Sequence, residues 1–291
     1  MNKQKYLKDI KDNIIIIWSH IFHFNINVED NLQTIDDILN NNSSVIRMGD
    51  GEFAIIRGED IYYQKYNKKL ATGLESLILQ GSTNKKIVCL PDVFSRMSRY
   101  TKEARKFYYV GFFYENRKLL KKISHMNKWY GSTFISRPYL DLKNKGDASL
   151  VFNKLRQIWD EKDILIVEGK YSRSGEGNDL FDNAKSVKRI ICPSTNAFDF
   201  LKTIESSIKK YSKGKLVLLM LGPTAKIIVN DLANENRQLI DLGHIDSEYE
   251  WYRRKAKTRI PISYKHTAEV DGKVQLKNDP KFNNEIVDII E

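Results

Sequence analysis

The chain has 291 residues, of which 41% are hydrophobic and 29% are charged, which argues against both a disordered chain and a bundle of membrane-spanning helices. Lysine and arginine number 48 against 37 acidic residues, and the net charge of +11 suits phosphate, nucleic acid, an acidic glycan or an anionic membrane surface. Only two cysteines are present, which excludes a disulfide framework and a four-thiolate zinc site. We therefore expect a cytoplasmic protein.

The N-terminal region, residues 1–30, is predicted to form a helical extension ahead of a single α/β domain over residues 31–291. Isoleucines recur there at helical spacing, at Ile10, Ile14, Ile17 and Ile21. The apolar run is shorter than the ~18 residues that a membrane span needs. The favoured interpretation is a helix packed on the domain. The alternative is a helix that docks at a membrane-bound acceptor, which would place the protein at the inner face of the cell membrane.

Short apolar runs alternate with amphipathic stretches along the rest of the chain. Strands are predicted at residues 44–48, 87–90, 133–136, 164–167, 189–192, 216–221 and 238–241. Helices are predicted at residues 70–79, 101–109, 115–126, 148–159, 197–210 and 224–234. This alternation is typical of an α/β fold with a Rossmann-like, mostly parallel sheet flanked by helices. Ligands of such sheets bind at the carboxyl ends of the strands, so the loops that follow the strands carry the candidate site.

The first predicted strand ends in the sequence RMGDGE. Its two carboxylates, Asp50 and Glu52, can hold Mg²⁺ or Mn²⁺ and leave coordination positions for phosphate and water. Arg47 adds a planar donor suited to phosphate, and Gly49 lets a ligand approach the backbone. The alternative interpretation is a solvated turn with a structural Arg–Asp pair.

The fourth predicted strand runs into the sequence EGKYSRSGEGND, residues 168–179. Backbone N–H groups and an arginine in this loop can form an anion cradle, followed by a helix that Asn178 or Asp179 caps. The sequence is neither a P-loop nor a dinucleotide fingerprint. The candidate ligands of such an anion are Ser172, Arg173, Gly175, Gly177, Asn178 and Asp179. The alternative is a long surface turn.

The sixth predicted strand is followed by Gly222, Pro223 and Thr224. Glycine permits a tight turn and proline suits the first helical position, so a helix N-terminus would point at the active edge of the sheet. It would offer a second phosphate or ribose contact. The alternative is an ordinary strand-to-helix turn.

The seventh predicted strand leads into GHIDSEYEW, residues 243–251. His244, Asp246 and Glu248 can supply a general base, a metal ligand, or both. The alternative is that the acids are solvated and the aromatic residues belong to the core.

Together these blocks resemble the bacterial glycosyltransferases of the GT-D fold, first described as a domain of unknown function. The resemblance covers residues 45–52, 131–139, 166–169, 172–181, 191–198, 221–225 and 241–251. It implies a Rossmann-like domain that uses a nucleotide sugar, expected to be a UDP-hexose, with Mn²⁺ or Mg²⁺. The family's Asp-x-Glu motif falls on Asp50 and Glu52. Members build surface glycans, including O-glycans on serine-rich adhesins.

The resemblance and the chemistry together suggest roles for the loops. A divalent ion held by Asp50 and Glu52 would offset the charge of the leaving diphosphate. Arg173, the amides of Gly175 and Gly177, and Arg137 after the third strand are candidates for binding that diphosphate. Asp246 or Glu248, helped by His244, is the predicted general base.

The expected partners are a nucleotide-sugar donor and a glycan, lipid-linked or glycoprotein acceptor, with no nucleic acid. Two other classes stay open on the sequence. A metal-dependent phosphoryl- or nucleotidyl-transferase would also use paired acids and basic loops. A nucleic-acid-binding module would suit the positive charge, although the basic residues are scattered and no known motif is present.

Overall fold

The computed structural model describes residues 24–234, 236–267, 269–270, 272 and 274–291. Most of the N-terminal extension predicted for residues 1–30 therefore lies outside the described residues. Within the described ranges, no helix is long and apolar enough to cross a membrane.

A single nine-stranded sheet forms the centre of the molecule. Its strands are β1 (Asn27–Val28), β2 (Ser44–Arg47), β3 (Lys86–Leu90), β4 (Trp129–Ser132), β5 (Asp163–Gly169), β6 (Ser186–Cys192), β7 (Leu216–Met220), β8 (Leu239–Asp241) and β9 (Ile286–Ile289). They pair in the order β1-β4-β3-β2-β8-β7-β5-β6-β9, and every pairing is parallel. All residues of β2, β7 and β8 are buried, because helices cover both faces. The predicted α/β fold is confirmed.

Ten α-helices are described around this sheet. They are α1 (Asn31–Asn41), α2 (Asp50–Ile56), α3 (Lys68–Gln80), α4 (Lys102–Phe107), α5 (Arg117–Ser124), α6 (Asp147–Arg156), α7 (Leu201–Tyr211), α8 (Gly222–Leu232), α9 (Ile245–Arg253) and α10 (Pro280–Glu285). The apolar residues of α3, α5, α7 and α8 build the core on one face of the sheet. Those of α1, α6 and α9 build the core on the other face. Within β2, Ile46 enters the first core and Val45 the second, as alternation along a strand requires.

The strand order reverses between β2 and β8. From β2 the chain continues to β3 and β4 on one side, whereas β8 is reached from β7 on the other side. Connections leaving such neighbours in opposite directions open a crevice at the carboxyl edge, where ligands of α/β sheets bind. The backbone N–H of Arg47 donates to the Asp241 Oδ2 atom at 3.0 Å across this junction.

The third predicted strand, at residues 133–136, is wrong. Thr133–Ser136 is a 3₁₀-helix, and the strand is β4, which precedes it. The Ser132 hydroxyl accepts a hydrogen bond from the Phe134 N–H at 3.1 Å, and the Thr133 carbonyl accepts one from the Arg47 guanidinium at 3.1 Å. These side-chain contacts replace strand pairing. The remaining predicted strands and helices are confirmed, with ends that differ by a few residues.

The prediction of a helix that begins at Asn178 or Asp179 is also wrong, because the chain forms a series of turns there. The Asn178 side-chain oxygen accepts a hydrogen bond from the Leu180 N–H at 3.1 Å. This short contact closes a turn instead of capping a helix. Four α-helices were not predicted: α1, α2, α9 and α10. Of these, α2 and α9 carry the acidic residues of the first and last loops.

Candidate active site

Asp50 is the first residue of α2 and lies where β2 ends. Its carboxylate is exposed in the crevice and makes no ion pair with any residue that the structure describes. The protein around the crevice keeps part of the water away from this carboxylate, and this desolvation raises the pKa of Asp50. The nearby Arg137 guanidinium partly opposes the shift. Asp50 is therefore a carboxylate that a ligand can reach.

Glu52, two residues later, has both carboxylate oxygens engaged. Its Oε2 accepts a hydrogen bond from the Gly49 N–H at 2.7 Å, and its Oε1 pairs with the Lys226 ammonium at 3.1 Å. Lys226 also contacts the Asp241 Oδ2 at 3.0 Å and donates to the Gly222 carbonyl at 3.1 Å. Burial alone would lower the pKa of Lys226, but the carboxylates of Asp241 and Glu52 outweigh it and raise the pKa. The lysine therefore stays charged.

Arg47 ends β2 with a buried guanidinium. Its Nε donates to the Thr133 carbonyl at 3.1 Å, whereas its Nη1 is buried without a hydrogen-bond partner in the described part of the chain. A Cβ atom on Gly243 would lie 2.5 Å from this Nη1, so only glycine leaves room for the guanidinium there. Burial lowers the pKa of Arg47, and Asp241 opposes the shift.

Arg137, predicted as a diphosphate ligand, lies in a network of four charges. It donates to Glu269 at 2.7 Å and lies 3.5 Å from Asp141, while Arg259 pairs with the same two acids at 2.6 and 3.2 Å. Burial alone would raise the pKa of Glu269, but the Arg137 and Arg259 guanidiniums outweigh it and lower the pKa to about 2. The network fixes Arg137 beside Asp50.

His244 precedes α9 and faces Tyr63 and His266, at ring-centroid distances of 6.1 and 6.3 Å. Burial, assisted by the positive charge of Arg137, lowers the pKa of His244 to about 3. Its imidazole is therefore neutral at physiological pH. Tyr63 packs so closely on Gly222 that a Cβ atom there would lie 2.6 Å from its ring.

The Asp246 carboxylate holds the loop after β5 in place through hydrogen bonds. It lies one helical turn from Glu250 on α9, and both carboxylates accept hydrogen bonds from the Asn178 side-chain amide, at 2.9 and 2.8 Å. Asp246 also accepts from the Gly175 N–H at 2.7 Å and pairs with Lys265 at 2.8 Å. Its Oδ1 is therefore engaged by the loop after β5, and its Oδ2 is paired with the Lys265 ammonium.

Glu248 also lies on α9, but it contacts the segment after Arg137 and not the loop after β5. Its Oε1 accepts hydrogen bonds from the Tyr139 and Leu140 N–H groups, both at 2.8 Å. Its Oε2 is buried and has no hydrogen-bond partner among the described residues. Burial raises the pKa of Glu248, and Arg137 opposes the shift. One oxygen of this carboxylate is thus left for a proton.

The predicted anion cradle borders a separate cavity of about 640 Å³. It is lined by Gly175, Gly177, Asn178 and Asp179 among others, but not by Asp50, Arg137 or His244. Arg173 pairs with Glu176 and stacks on the Phe282 ring at 4.1 Å, and Asp179 lies 3.3 Å from Arg253. The predicted residues therefore fall into two groups, one at the β2–β8 junction and one around this loop.

The remaining predicted residues, Ser172, Pro223 and Thr224, lie directly after strands β5 and β7. The Ser172 N–H donates to the Gly169 carbonyl at 2.8 Å and so tightens the turn after β5. Pro223 and Thr224 are buried in the first turn of α8, and the Thr224 hydroxyl has no hydrogen-bond partner within the described ranges.

A divalent ion fits this site through one carboxylate. Mg²⁺ and Mn²⁺ commonly bind one or two protein carboxylates and complete their coordination with phosphate and water. Asp50 meets this requirement, whereas the oxygens of Glu52 are engaged by Lys226 and Gly49. Within the described ranges, no three His, Cys, Asp or Glu side chains are arranged to hold a metal ion.

Sequence reasoning missed four residues of this region: Tyr63, Lys226, Asp241 and Glu269. Lys226 and Asp241 carried a signal, because each is a charged residue within or directly after an apolar run. Tyr63 and Glu269 lie in irregular segments, where no periodic pattern marks them.

The chain is similar to known proteins in both sequence and structure. The family model described as "Glycosyltransferase GT-D fold" matches residues 45–270. A solved structure of a new glycosyltransferase (DUF1792) from Streptococcus sanguinis superposes with a TM-score of 0.89 at 43% identity, covering 91% of this chain and 100% of that one. A second structure, of the domain of unknown function 1792 with a distinct glycosyltransferase fold, gives a TM-score of 0.84 at 43% identity, covering 97% and 99%.

Two curated relatives are similar over most of the chain. The glycosyltransferase GlyD of Streptococcus pneumoniae serotype 4 (strain ATCC BAA-334 / TIGR4) is 45% identical over 263 residues, 88% of this chain and 31% of that protein. The probable glycosyl transferase Gly of Streptococcus gordonii is 44% identical over 257 residues, 88% and 37%. The chain thus spans about a third of the length of these relatives. On the family match, the identity and the shared fold, this chain belongs to the glycosyltransferases of the GT-D fold.

Proposed function

We propose that this chain transfers a hexose from a UDP-sugar to a hydroxyl group of a glycan or glycoprotein acceptor, with Mn²⁺ or Mg²⁺ at the donor diphosphate. The observation that carries the proposal is the free Asp50 carboxylate at the β2–β8 crevice. Family membership favours sugar transfer over phosphoryl transfer at such a site.

The cationic groups around Asp50 suit a diphosphate. Arg47 has a buried Nη1 without a hydrogen-bond partner in the described part of the chain, and Arg137 is held nearby by Glu269. Asp50 would hold the divalent ion, which when bound would offset the charge of the leaving diphosphate. Guanidiniums fixed in advance stabilise developing negative charge without reorganising.

The proton of the acceptor hydroxyl needs a base. We assign this role to Glu248, because its Oε2 has no hydrogen-bond partner among the described residues and burial raises its pKa. Neutral His244 is suited to accept a hydrogen bond from the acceptor. Asp246 would instead hold the loop after β5.

The proposal is tested with a panel of nucleotide sugars and Mn²⁺, measuring donor binding and slow donor hydrolysis. We expect the wild type to select one UDP-hexose, and Asp50→Asn to lower metal-dependent hydrolysis by about 100-fold. Asp36→Asn, which removes a half-exposed carboxylate paired with Lys154, is the matched control and should match the wild type. A folded wild-type protein that neither binds nor hydrolyses any nucleotide sugar of the panel would refute the proposal. A fully active Asp50→Asn variant would also refute it.

A further inference from the structure

Lys226 occupies the centre of a buried charge cluster, here called the lysine bridge and formed by Lys226, Glu52 and Asp241. The exposed fractions of these residues are 4%, 5% and 0%. The ammonium has three protons and three acceptors: the Glu52 Oε1, the Asp241 Oδ2 and the Gly222 carbonyl. It therefore has no donor left for a substrate.

The lysine bridge joins three turns at the carboxyl edge of the sheet. Glu52 binds the Gly49 N–H after β2, and Lys226 binds the Gly222 carbonyl after β7. Asp241, at the end of β8, accepts from the Arg47 N–H at 3.0 Å and from the Gly243 N–H at 3.1 Å. One buried ammonium thus fixes the backbone on both sides of the crevice.

The lysine bridge also determines which carboxylate of the motif, Asp50 or Glu52, is available to bind a cation. A divalent ion on the Glu52 Oε1 would share that oxygen with the Lys226 ammonium, which lies 3.1 Å from it. Two positive charges on one carboxylate oxygen repel strongly in a buried site. Asp50 makes no ion pair with the described residues and is exposed in the crevice, although the Arg137 guanidinium lies nearby. The two acids of the motif are therefore in different electrostatic settings.

We infer that Lys226 is a positioning residue whose ion pair keeps the Glu52 carboxylate in a structural role. Asp50 is then the single carboxylate of this Asp-x-Glu motif that can bind the donor's metal ion. The inference rests on the proposed function, since it concerns the ion that the donor would bring. It assigns the two acids different tasks: Asp50 binds, and Glu52 holds the turn in which Asp50 lies.

Binding of Mn²⁺ to the full chain with UDP, followed by electron paramagnetic resonance, separates these tasks without measuring turnover. Asp50→Asn is expected to weaken Mn²⁺ binding by about tenfold or more, because a ligand is lost. Glu52→Gln is expected to keep the affinity within about threefold, because the amide oxygen can still accept from Gly49. An equal loss in both variants would overturn the inference while leaving the proposed function standing. If the wild type does not bind Mn²⁺ in the presence of UDP, both the inference and the proposed metal-dependent function are wrong.

A second variant pair tests Lys226 itself. Lys226→Met frees the Glu52 carboxylate, so we expect Mn²⁺ affinity without UDP to rise by about tenfold, and Glu52→Gln in the same background to abolish the gain. Lys202→Met, which removes a lysine 81% exposed on α7, is the charge-matched control and should show no gain. A folded Lys226→Met protein without the gain contradicts the role of Lys226. If this variant does not fold, the Glu52→Gln result decides alone.

Discussion

Glu248 shows how one carboxylate can combine two tasks at the scale of a residue. Its Oε1 fixes two consecutive N–H groups of the segment that follows Arg137, which orients that segment. Its Oε2 makes no hydrogen bond with the described residues. A carboxylate that is held at one oxygen and free at the other is both fixed in place and able to accept a proton.

Replacing Glu248 by glutamine should separate the two tasks. The amide oxygen can still accept from Tyr139 and Leu140, but the side chain can no longer act as a base. We expect kcat to fall by about 100-fold while UDP affinity stays within about twofold. Steady-state kinetics and calorimetric titration with UDP would measure both quantities. A parallel loss of UDP affinity would assign Glu248 to positioning alone.

At the scale of elements, the start of α8 is where the sheet and the site meet. Gly222 begins this helix with φ of +52°, and its missing side chain leaves space for the Tyr63 ring. One turn later, Lys226 donates back to the Gly222 carbonyl. The helix therefore supports both the crevice wall and the lysine bridge.

Alanine at Gly222 should be more damaging than alanine at another glycine with positive φ. Gly214 has φ of +70° and nothing within 4 Å of its added Cβ, so Gly214→Ala should cost about 1 kcal/mol through backbone strain alone. Gly222→Ala adds a clash with Tyr63 and should cost roughly 2–4 kcal/mol. Urea unfolding of both variants measures the difference. Equal losses would show that Tyr63 moves aside freely.

The sequence predicted most of the sheet because central parallel strands are short apolar runs between turns. It did not predict α2 and α9, since both begin directly at a strand end and are rich in acids, which resemble loop residues. In the site, Asp50 could be found from its place after a strand. The pairing of Glu52 with Lys226 could not, because the two residues are 174 positions apart in the chain and meet only through the strand order.

At the scale of the whole molecule, distant segments converge on His244. Arg47 comes from β2, Arg137 follows β4, and His266 and Glu269 come from the segment after α9. Burial and the net positive field keep this imidazole neutral. The protonation of one side chain is thereby linked to the assembly of the complete fold.

This linkage predicts how stability depends on pH. The pKa of His244 is about 3 in the folded state against 6.5 for an ordinary histidine, so the unfolded chain takes up the proton first as the pH falls. The stability contributed by neutral His244 is complete above about pH 6.5 and is lost progressively toward pH 3. His244→Asn should therefore lose less stability between pH 7.5 and pH 5 than the wild type, as measured by urea unfolding. Identical losses would contradict the prediction.

The reversal of strand order at β2 and β8 also affects how the chain can fold. Strands β1 to β4 pair among themselves within residues 27–132, and β5 to β9 pair within residues 163–289. Within the sheet, the two halves meet where β2 lies beside β8: Val45 pairs with Ile240, and Arg47 binds Asp241, 194 residues away. Contacts over such separations form slowly. During synthesis, the β2 edge therefore stays open until β8 has left the ribosome, and the crevice is among the last parts of the molecule to take shape.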